Sequence, residues 1–269
     1  MNKPCSDPQP PNSGGLIGVI LAAGMAKRLR PLTDTKPKCL LKVGERTLLE
    51  RTIRAMQQAG ISEFVVVTGY RADQIVDFIE NQIVPIVPIG TIGTIENTTF
   101  HFLHNADYEH NNNIYSLWMA GEYVRGKEFL LMDSDILCDP AAVARIAHEP
   151  ESALALNRHE CGEEEIKVIV DADGHITEIS KVCSIQDAIG ESVGIEKMTA
   201  AYSTALYKEL DQMILKEGLI DVFYERCFER LIPQGHTFKV VDTTSYFSYE
   251  LDTPEDFERA KELMPKELL

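Results

Sequence analysis

Three continuous apolar runs along the chain predict strands that are buried on both faces of a sheet. The first, Leu16–Leu21, follows a pair of glycines, the second is Phe64–Val67, and the third is Phe129–Met132. Runs without polar alternation are typical of strands that have helices packed on both sides, because neither face meets water. We therefore predict that these three runs form the centre of the fold.

Amphipathic segments between and after these runs predict helices. Thr47 and Glu50 have the spacing of a capping box, in which each side chain binds the other residue's backbone N–H, and Gly60 ends the helix that follows. Asp139 before Pro140 predicts another helix start. Further helices are predicted at about 72–80, 114–123, 199–216 and 220–231, and after Thr253-Pro254. This alternation predicts an α/β protein with a Rossmann-like, mostly parallel sheet flanked by helices and joined by right-handed crossovers.

The pattern changes in the second half of the chain. Residues 166–170 and 176–179 flank the polar turn Asp171–Gly174, which predicts a β-hairpin, and Lys239–Val241 predicts a late strand. We interpret this half as a smaller, β-rich part that covers the substrate. Residues 1–15 hold four prolines and predict a flexible leader, so 16–269 is expected to form a single domain.

Composition and charge disfavour several classes of partner and site. The 269 residues include 42 acidic and 26 basic side chains, for a formal net charge of −16. Because binding to a nucleic acid duplex needs a basic face, we predict no nucleic-acid partner, although a few cations suffice for a nucleotide. No apolar run approaches the roughly 20 residues of a membrane span, and no signal-peptide pattern is visible, so no membrane partner and a cytoplasmic location are expected. The six cysteines are scattered without a Cys-x-x-Cys pair, which favours free thiols over zinc or disulfides.

The densest cluster of cations follows the first predicted strand. Small residues from Ala22 to Ala26 precede Lys27 and Arg28, and Lys38 lies shortly beyond. Small side chains let a ligand approach the backbone, and the reversal of charge in an acidic chain indicates an anionic ligand. A solvated loop with ordinary surface cations is the alternative. The segment lacks the second glycine and the Lys-Ser/Thr of a P-loop, and Ala26 and Leu29 break the G-x-G-x-x-G dinucleotide pattern, which disfavours an NAD enzyme.

Two later segments place pairs of carboxylates at strand ends. Asp133 and Asp135 end the third apolar run, and Glu250 and Asp252 share one face of a strand-like segment before the last helix. Carboxylate oxygens are the ligands that Mg²⁺ prefers, so the four residues are candidate metal ligands and Mg²⁺ is the expected cofactor. Asp133 and Glu250 could instead cap or solvate a strand end.

The stretch from Leu21 to Lys38 resembles the sugar-phosphate nucleotidyltransferase family, whose signature is L-A-A-G-x-G-x-R-L-x-P-L-T…P-K. The one notable departure is Ala26, where the family usually has its second glycine. The resemblance implies the nucleotidyltransferase fold. It also implies that Arg28 holds the triphosphate, that Lys38 bridges the nucleotide and the attacking phosphate, and that Asp135, Glu250 and Asp252 bind the metal. The implied nucleotide-binding segment is Leu21, Ala22, Ala23, Gly24, Met25, Ala26, Lys27 and Arg28.

Within that family, the run Asn112–Leu117 resembles the N-N-x-Y-S-L run of the CTP-using branch, which acts on phosphocholine, inositol phosphate and phosphonates. The resemblance implies CTP as a partner, and Asn113 and Ser116 have side chains that could read the pyrimidine edge. The alternative is that Asn112 caps the next helix and Ser116 faces solvent.

The expected acceptor is a small phosphorylated or phosphonylated compound with amine or hydroxyl groups, rather than phosphocholine. A quaternary ammonium needs an aromatic cage, and the segment where choline enzymes carry an aromatic reads Glu164-Glu165-Ile166-Lys167. We predict that Lys167 and Lys181 bind the acceptor phosphate and that Glu165, or Glu164, meets the amine or hydroxyl. Surface charge is the alternative for either glutamate. Trp118, Tyr202 and Tyr246 are the residues from which a cage could still be built.

The predicted reaction is transfer of CMP from CTP to this acceptor, with release of pyrophosphate. One alternative is a sugar-1-phosphate uridylyl- or thymidylyltransferase, because the first motif does not separate the nucleotides. A second is a non-catalytic nucleotide-binding homologue, which would be expected to lose the cations or carboxylates that this chain retains. The sequence is compatible with a homo-oligomer and does not specify one.

Overall fold

A computed structural model describes residues 15–83 and 98–268, so the predicted leader lies outside the described residues apart from Gly15. The strands are β1 Ile17–Ala22, β2 Lys42–Val43, β3 Arg46–Thr47, β4 Glu63–Thr68, β5 Thr99–His104, β6 Phe129–Asp133, β7 Ile136–Cys138, β8 Ala153–Asn157, β9 Lys167–Val170, β10 Ile176–Ser180, β11 Gly190–Met198, β12 Lys239–Asp242 and β13 Ser248–Glu250. The helices are α1 Leu48–Gln58, α2 Ala72–Phe78, α3 Asn113–Val124, α4 Pro140–Ala147, α5 Ala200–Asp211, α6 Glu225–Leu231 and α7 Pro254–Leu263.

The central sheet is the predicted mostly parallel α/β sheet. Its order is β10-β9-β11-β6-β1-β4-β5, and β8 joins the edge of β11 and carries β12. Strand β1 runs parallel to both β4 and β6, and β4 runs parallel to β5. Strand β11 is antiparallel to β6 and β8. The parallel half and the antiparallel half therefore meet at β6.

Successive residues of β1 face two different helix layers. Val19 and Leu21 pack in one buried cluster with residues of α3, α5 and α6. Ile20 and Ala22 pack in a second cluster with residues of α1, α2 and α4. All six residues of β1 are buried, as predicted from the unbroken apolar run.

The helix caps follow the sequence signals closely. Thr47 and Asp139 cap α1 and α4 with their side chains, and Thr253 and Asp256 form a reciprocal capping box on α7. Glu50 departs from the prediction, because its carboxylate accepts from Arg54 rather than from the Thr47 backbone. Residues 166–180 form the predicted antiparallel hairpin of β9 and β10.

Three features of the second half differ from the prediction. The helix expected from 220 begins only at Glu225, because Ile220 accepts from the backbone of Asn112 and the backbone N–H of Tyr224 donates to Asn113. Strands β8 and β11 were not predicted. Strand β11 has no recognisable alternation, since Gly194 and buried charged residues interrupt it.

Two further observations concern membrane-spanning helices and the cysteines. Among the described residues, no helix combines the length and the apolar character needed to cross a membrane. The five cysteines of the described part, from Cys39 to Cys227, are free thiols.

Candidate active site

A cleft of about 950 Å³ opens at the carboxyl ends of β1 and β6. Parallel strands direct their carboxyl ends to one edge of a sheet, and ligands of open α/β folds bind there. The cleft is lined by all eight residues of the predicted nucleotide-binding segment, together with Lys38 and the two carboxylate pairs. The structure therefore brings the motif of the first half and the carboxylates of the second half to one place.

The loop after β1, residues 23–28, is held close to its neighbours. Gly69 allows this approach, because a Cβ atom there would lie 2.7 Å from the carbonyl oxygen of Ala23. Ala26 has a left-handed backbone with φ of 46°, a conformation that favours glycine. Its carbonyl accepts from the Thr33 hydroxyl at 3.0 Å. The family's glycine pattern therefore reflects a real backbone requirement, and this chain meets it with a strained alanine.

Lys38 joins the two carboxylate pairs. Its Nζ atom donates to Asp135 Oδ2 and to Asp252 Oδ1, both at 2.9 Å, and Arg28 pairs with the other oxygen of Asp252. The lysine is buried. Burial alone would lower its pKa, but the charges of Asp135 and Asp252 outweigh that effect and raise it. We call these four residues the cation end of the cleft.

Three of the four predicted metal ligands form one group. Carboxylate oxygens of Asp135, Glu250 and Asp252 lie within 4.8 Å of one another. The pairing of β13 with β7 sets Glu250 opposite Ile136 and so brings the late segment to the end of β6. Burial, and then the charges of Asp135 and Asp252, raise the pKa of Glu250 to about 7. Hard oxygen ligands at this spacing fit Mg²⁺, although Lys38 holds two of the oxygens in the structure.

Asp133 is not part of that three-residue group. It is half-buried and lines the cleft, and its Oδ2 atom accepts from the Tyr224 hydroxyl at 2.9 Å. Burial, followed by the charges of Asp135 and Glu225, raises the pKa of Asp133 well above its usual range. The expectation that Asp133 ligates the metal is thus not supported by its placement.

The predicted pyrimidine-reading residues both line the cleft, but they differ in what they offer. Asn113 Oδ1 accepts from the backbone N–H of Tyr224 at 2.9 Å, which leaves its NH₂ group for a ligand. Ser116 is buried, and its Oγ accepts from Asn105 at 3.2 Å. Asn112 caps α3, as the alternative interpretation had it. Asn105, which no sequence motif marks, donates to both Asn111 and Ser116.

The predicted acceptor residues separate into those that reach the cleft and one that does not. Lys181 and Glu165 line it. Lys167 does not line it, because its ammonium group lies among the backbone carbonyls of Gly162, Glu163 and Glu165, at 3.1–3.3 Å, and its side chain is 1% exposed. The prediction that Lys167 binds the acceptor phosphate is therefore wrong. Alternation along β9 directs Val168 and Val170 into the hydrophobic core and Lys167 to the opposite face, where the preceding segment 162–165 covers it.

The aromatic residues considered for a choline cage also lie elsewhere. Trp118 stacks near Tyr115 and donates to Asp211 at 2.9 Å. Tyr202 is buried against Phe228 and Phe238. Neither these two residues nor Tyr246 are among the residues that line the cleft.

The remaining lining residues include His159, Glu191 and Glu225, which the sequence analysis did not select. Glu191 accepts from His159 at 3.0 Å, Lys181 Nζ lies 4.8 Å from the centroid of the Phe223 ring, and Glu225 is buried. We call the carboxylates of this region the acid end of the cleft: Glu164, Glu165, Glu191 and Glu225. Glu164 and Glu165 were expected near the acceptor, whereas Glu191 and Glu225 lie in two other segments and no contiguous motif marks them.

Comparison with protein families identifies one matching model. A model described as the MobA-like NTP transferase domain matches residues 18–231. That range contains the sheet strands from β4 to β11 and nearly all of β1, together with the loop after β1 and the Asn112–Leu117 run. It ends before Glu250 and Asp252.

Several curated proteins are similar along most of the chain. A CMP-5'-(3-aminopropyl)phosphonate synthase of Streptomyces rubellomurinus is 26% identical over 260 residues, which are 93% of this chain and 39% of that protein. A CTP:phosphoglutamine cytidylyltransferase of Campylobacter jejuni is 23% identical over 261 residues, with 89% and 97% covered. A choline-phosphate cytidylyltransferase of Streptococcus pneumoniae is 22% identical over 255 residues, with 93% and 98% covered. The chain thus spans about two fifths of the Streptomyces protein and nearly all of the other two.

Solved structures share the fold. A CTP:phosphocholine cytidylyltransferase from Streptococcus pneumoniae superposes with a TM-score of 0.75 at 20% identity, covering 93% of this chain and 100% of that one. An inositol-1-phosphate CTP transferase from T. maritima superposes with a TM-score of 0.71 at 21% identity, covering 94% and 99%. At these identities the likeness concerns the architecture of the chain.

Proposed function

The chain belongs to the MobA-like NTP transferase family, and from that premise we propose that it transfers CMP from CTP to a small phosphorylated or phosphonylated acceptor and releases pyrophosphate. Transfer of a nucleotidyl group follows from the family. The choice of CTP draws support from similar proteins that are named for CTP or CMP, and from the Asn112–Leu117 run.

The observation that carries the proposal is the cation end of the cleft. Two cations and two carboxylates from segments up to 224 residues apart converge on the loop that follows β1. A surface loop with ordinary cations has no reason to bury a lysine between two aspartates. A non-catalytic homologue likewise has no need to keep this arrangement, so its retention supports catalysis.

In the proposed reaction, an oxygen of the acceptor phosphate or phosphonate attacks the α-phosphorus of CTP. The bond between the α-phosphorus and its bridging oxygen to the β-phosphorus breaks, and that oxygen leaves with pyrophosphate. A phosphate monoester has its second pKa near 6 and is largely dianionic at neutral pH, so it needs no strong general base. The task of the protein is to align two anions that repel each other and to offset the charge of the leaving group.

Lys38 and Arg28 are suited to that task. Lys38 is already charged in a buried position, so its field acts with little screening by water. Arg28 is exposed and can turn its guanidinium group towards the triphosphate. When phosphate oxygens enter, both side chains exchange carboxylate partners for phosphate partners.

Asp135, Glu250 and Asp252 would hold the divalent cation. When bound, Mg²⁺ supplies charge stabilisation for the phosphate oxygens. Asp135 and Asp252 would then serve both the ion and Lys38, which occupies one oxygen of each carboxylate.

Asn113 is the proposed reader of the base. Because its oxygen is occupied by the Tyr224 backbone, its NH₂ group is fixed as a donor. The N3 atom of cytosine accepts hydrogen bonds, whereas N3 of uracil donates them, so a donor at this edge favours CTP over UTP.

The test is a panel of CTP, UTP, dTTP, ATP and GTP, with pyrophosphate release measured against small phosphates, phosphonates and sugar 1-phosphates. We expect the highest kcat/KM with CTP. We expect Asn113→Asp, which keeps the accepting oxygen and removes the donor, to lower it about 10–100-fold. Asn112→Asp adds the same charge one residue away and is the matched control.

Three results would contradict the proposal in different ways. Equal kcat/KM with UTP would move the protein to the sugar-nucleotide enzymes. An equal loss in both asparagine variants would attribute the effect to charge rather than to the lost donor. Binding of CTP without release of pyrophosphate in the presence of any acceptor would indicate a nucleotide-binding homologue.

A further inference from the structure

Glu225 is the first residue of α6, and its carboxylate has an unusual environment. The residue is 7% exposed and lines the cleft. Its Oε2 atom is buried and has no hydrogen-bond partner. A buried carboxylate oxygen that lacks a donor is costly, so its presence in the wall of a ligand cleft points to a ligand that supplies the donor.

The other carboxylates of the acid end have partners. Glu191 accepts from His159, and Glu165 accepts from the backbone N–H of Gly162 at 2.8 Å. Glu164 lies 3.8 Å from Lys181. Within the described part of the chain, Glu225 is thus the member of this set with a buried side-chain oxygen, Oε2, that has no hydrogen-bond partner.

The position of Glu225 is fixed by the preceding residue. The backbone N–H of Tyr224 donates to Asn113, and the Tyr224 hydroxyl donates to Asp133. These two bonds tie the start of α6 to the helix that carries the base-reading asparagine and to the end of β6. Glu225 therefore presents its carboxylate from a rigid support, as a binding group needs to.

We propose that the Glu225 carboxylate binds a primary ammonium group of the acceptor. This inference rests on the proposed function, since it names the acceptor class for the same cleft: a short phosphate or phosphonate that ends in a primary amine. The phosphoryl group lies towards the cation end, and the ammonium group lies at the acid end. Lys38 and Arg28 can exchange their carboxylate partners for phosphate oxygens at one end, and the carboxylates of the acid end can accept from the ammonium group at the other.

The chemistry of Glu225 selects a primary amine over a quaternary one. The buried oxygen needs an N–H donor, and a primary ammonium has three whereas a trimethylammonium has none. A quaternary ammonium would instead need aromatic faces. Of the aromatic residues that line the cleft, Phe223 already lies under the ammonium group of Lys181, Tyr108 packs against Tyr70, and Tyr249 donates its hydroxyl to Asp256.

The test compares four acceptors with CTP and Mg²⁺ in the full-length wild-type chain. Phosphoethanolamine and phosphocholine differ only in three methyl groups, and ethyl phosphate lacks the amine altogether. We expect kcat/KM for phosphoethanolamine to exceed that for each of the other two by about 10²-fold. The fourth acceptor, 2-aminoethylphosphonate, keeps the amine, and its rate relative to phosphoethanolamine distinguishes a phosphonate from a phosphate ester.

The variant Glu225→Gln keeps the shape of the side chain and removes its charge. We expect it to lower the ratio of kcat/KM for phosphoethanolamine to that for ethyl phosphate about 10–100-fold. Glu229→Gln makes the same change one turn further along α6, where the side chain pairs with Arg226, and should leave the ratio at its wild-type value. Melting temperatures show whether each variant folds. If Glu225→Gln does not fold, the comparison of the four acceptors in the wild-type protein still tests the proposal.

The outcomes separate this inference from the proposed function. If phosphocholine or ethyl phosphate reacts as fast as phosphoethanolamine, or if folded Glu225→Gln keeps the wild-type ratio, the amine site is wrong while cytidylyl transfer stands. If none of the four acceptors releases pyrophosphate from CTP but another phosphate does, the acceptor class is wrong. Failure with CTP and every acceptor overturns the proposed function itself.

Discussion

The two ends of the cleft treat their charges in opposite ways. At the cation end Lys38 and Arg28 pair with Asp135 and Asp252, so the charges neutralise one another in the free protein. At the acid end Glu225 keeps a buried oxygen without a partner. The first arrangement is stable as it stands and must exchange partners to bind phosphate. The second carries an electrostatic cost that a cationic ligand would relieve.

Two buried lysines illustrate the same contrast within one residue type. Lys38 donates to carboxylates in the cleft, whereas Lys167 donates to three backbone carbonyls and is 1% exposed. The two lysines differ in role because their partners differ. Phosphate oxygens of a substrate can replace the side-chain carboxylates that bind Lys38, whereas the backbone carbonyls that bind Lys167 cannot move without unfolding of their segment. Lys38 is thus expected to matter for turnover and Lys167 for stability.

The largest effect is expected from Lys38→Met. The substitution removes the charge and keeps most of the side-chain volume, so kcat should fall by at least about 10²–10³-fold. Pyrophosphate release under saturating CTP measures it, with the melting temperature as a check on folding. Lys36→Met changes an exposed lysine of the same loop and is expected to stay close to wild type. Near-normal turnover of Lys38→Met would remove this lysine from the mechanism.

The complementary substitution, Lys167→Met, should affect stability instead. It leaves three carbonyls without their shared donor, which we expect to lower the free energy of unfolding by ~2–3 kcal/mol. Urea denaturation measures the change. Lys181→Met is the control, because its ion pair with Glu164 is partly exposed and is expected to contribute less than ~1 kcal/mol. A Lys167→Met protein of wild-type stability would break the contrast between the two lysines.

The smallest effect concerns the pH dependence of stability at the acid end. Burial raises the pKa of Glu225 to about 7. Between the ordinary glutamate pKa of about 4.5 and this value, the folded state holds a proton that the unfolded state has lost. Stability from this group is therefore present at low pH and is lost as the pH rises to about 7.

Glu225→Gln should remove that loss. Relative to wild type, we expect its free energy of unfolding to gain little at pH 5 and ~1–2 kcal/mol at pH 8 in the absence of ligand. Urea denaturation at the two pH values provides the measurement, and Glu229→Gln is expected to keep the wild-type difference between them. An equal gain in the free energy of unfolding at both pH values would mean that burial does not raise the pKa of Glu225.

Much of the fold and about half of the site could be predicted from the sequence. The buried strands, the helix caps at Thr47, Asp139 and Thr253, and the hairpin of β9 and β10 all follow from local patterns. So does the loop after β1, because its small residues and cations are contiguous. The placement of Lys167 could not be predicted, because it depends on the segment 162–165 folding over the outer face of β9, and no local pattern specifies that fold.

The sequence by itself determined the class of the protein, because the residues that mark it lie close together in one strand and the loop after it. The tertiary structure alone decided which distant residues share the cleft. Lys38 meets Asp252 across 214 positions through the pairing of β13 with β7, and Glu225 enters the wall through the bonds of Tyr224 to α3 and β6. The physical reason is that local propensity and charge act over a few neighbouring residues. Burial and ion pairing instead depend on which segments the sheet brings into contact.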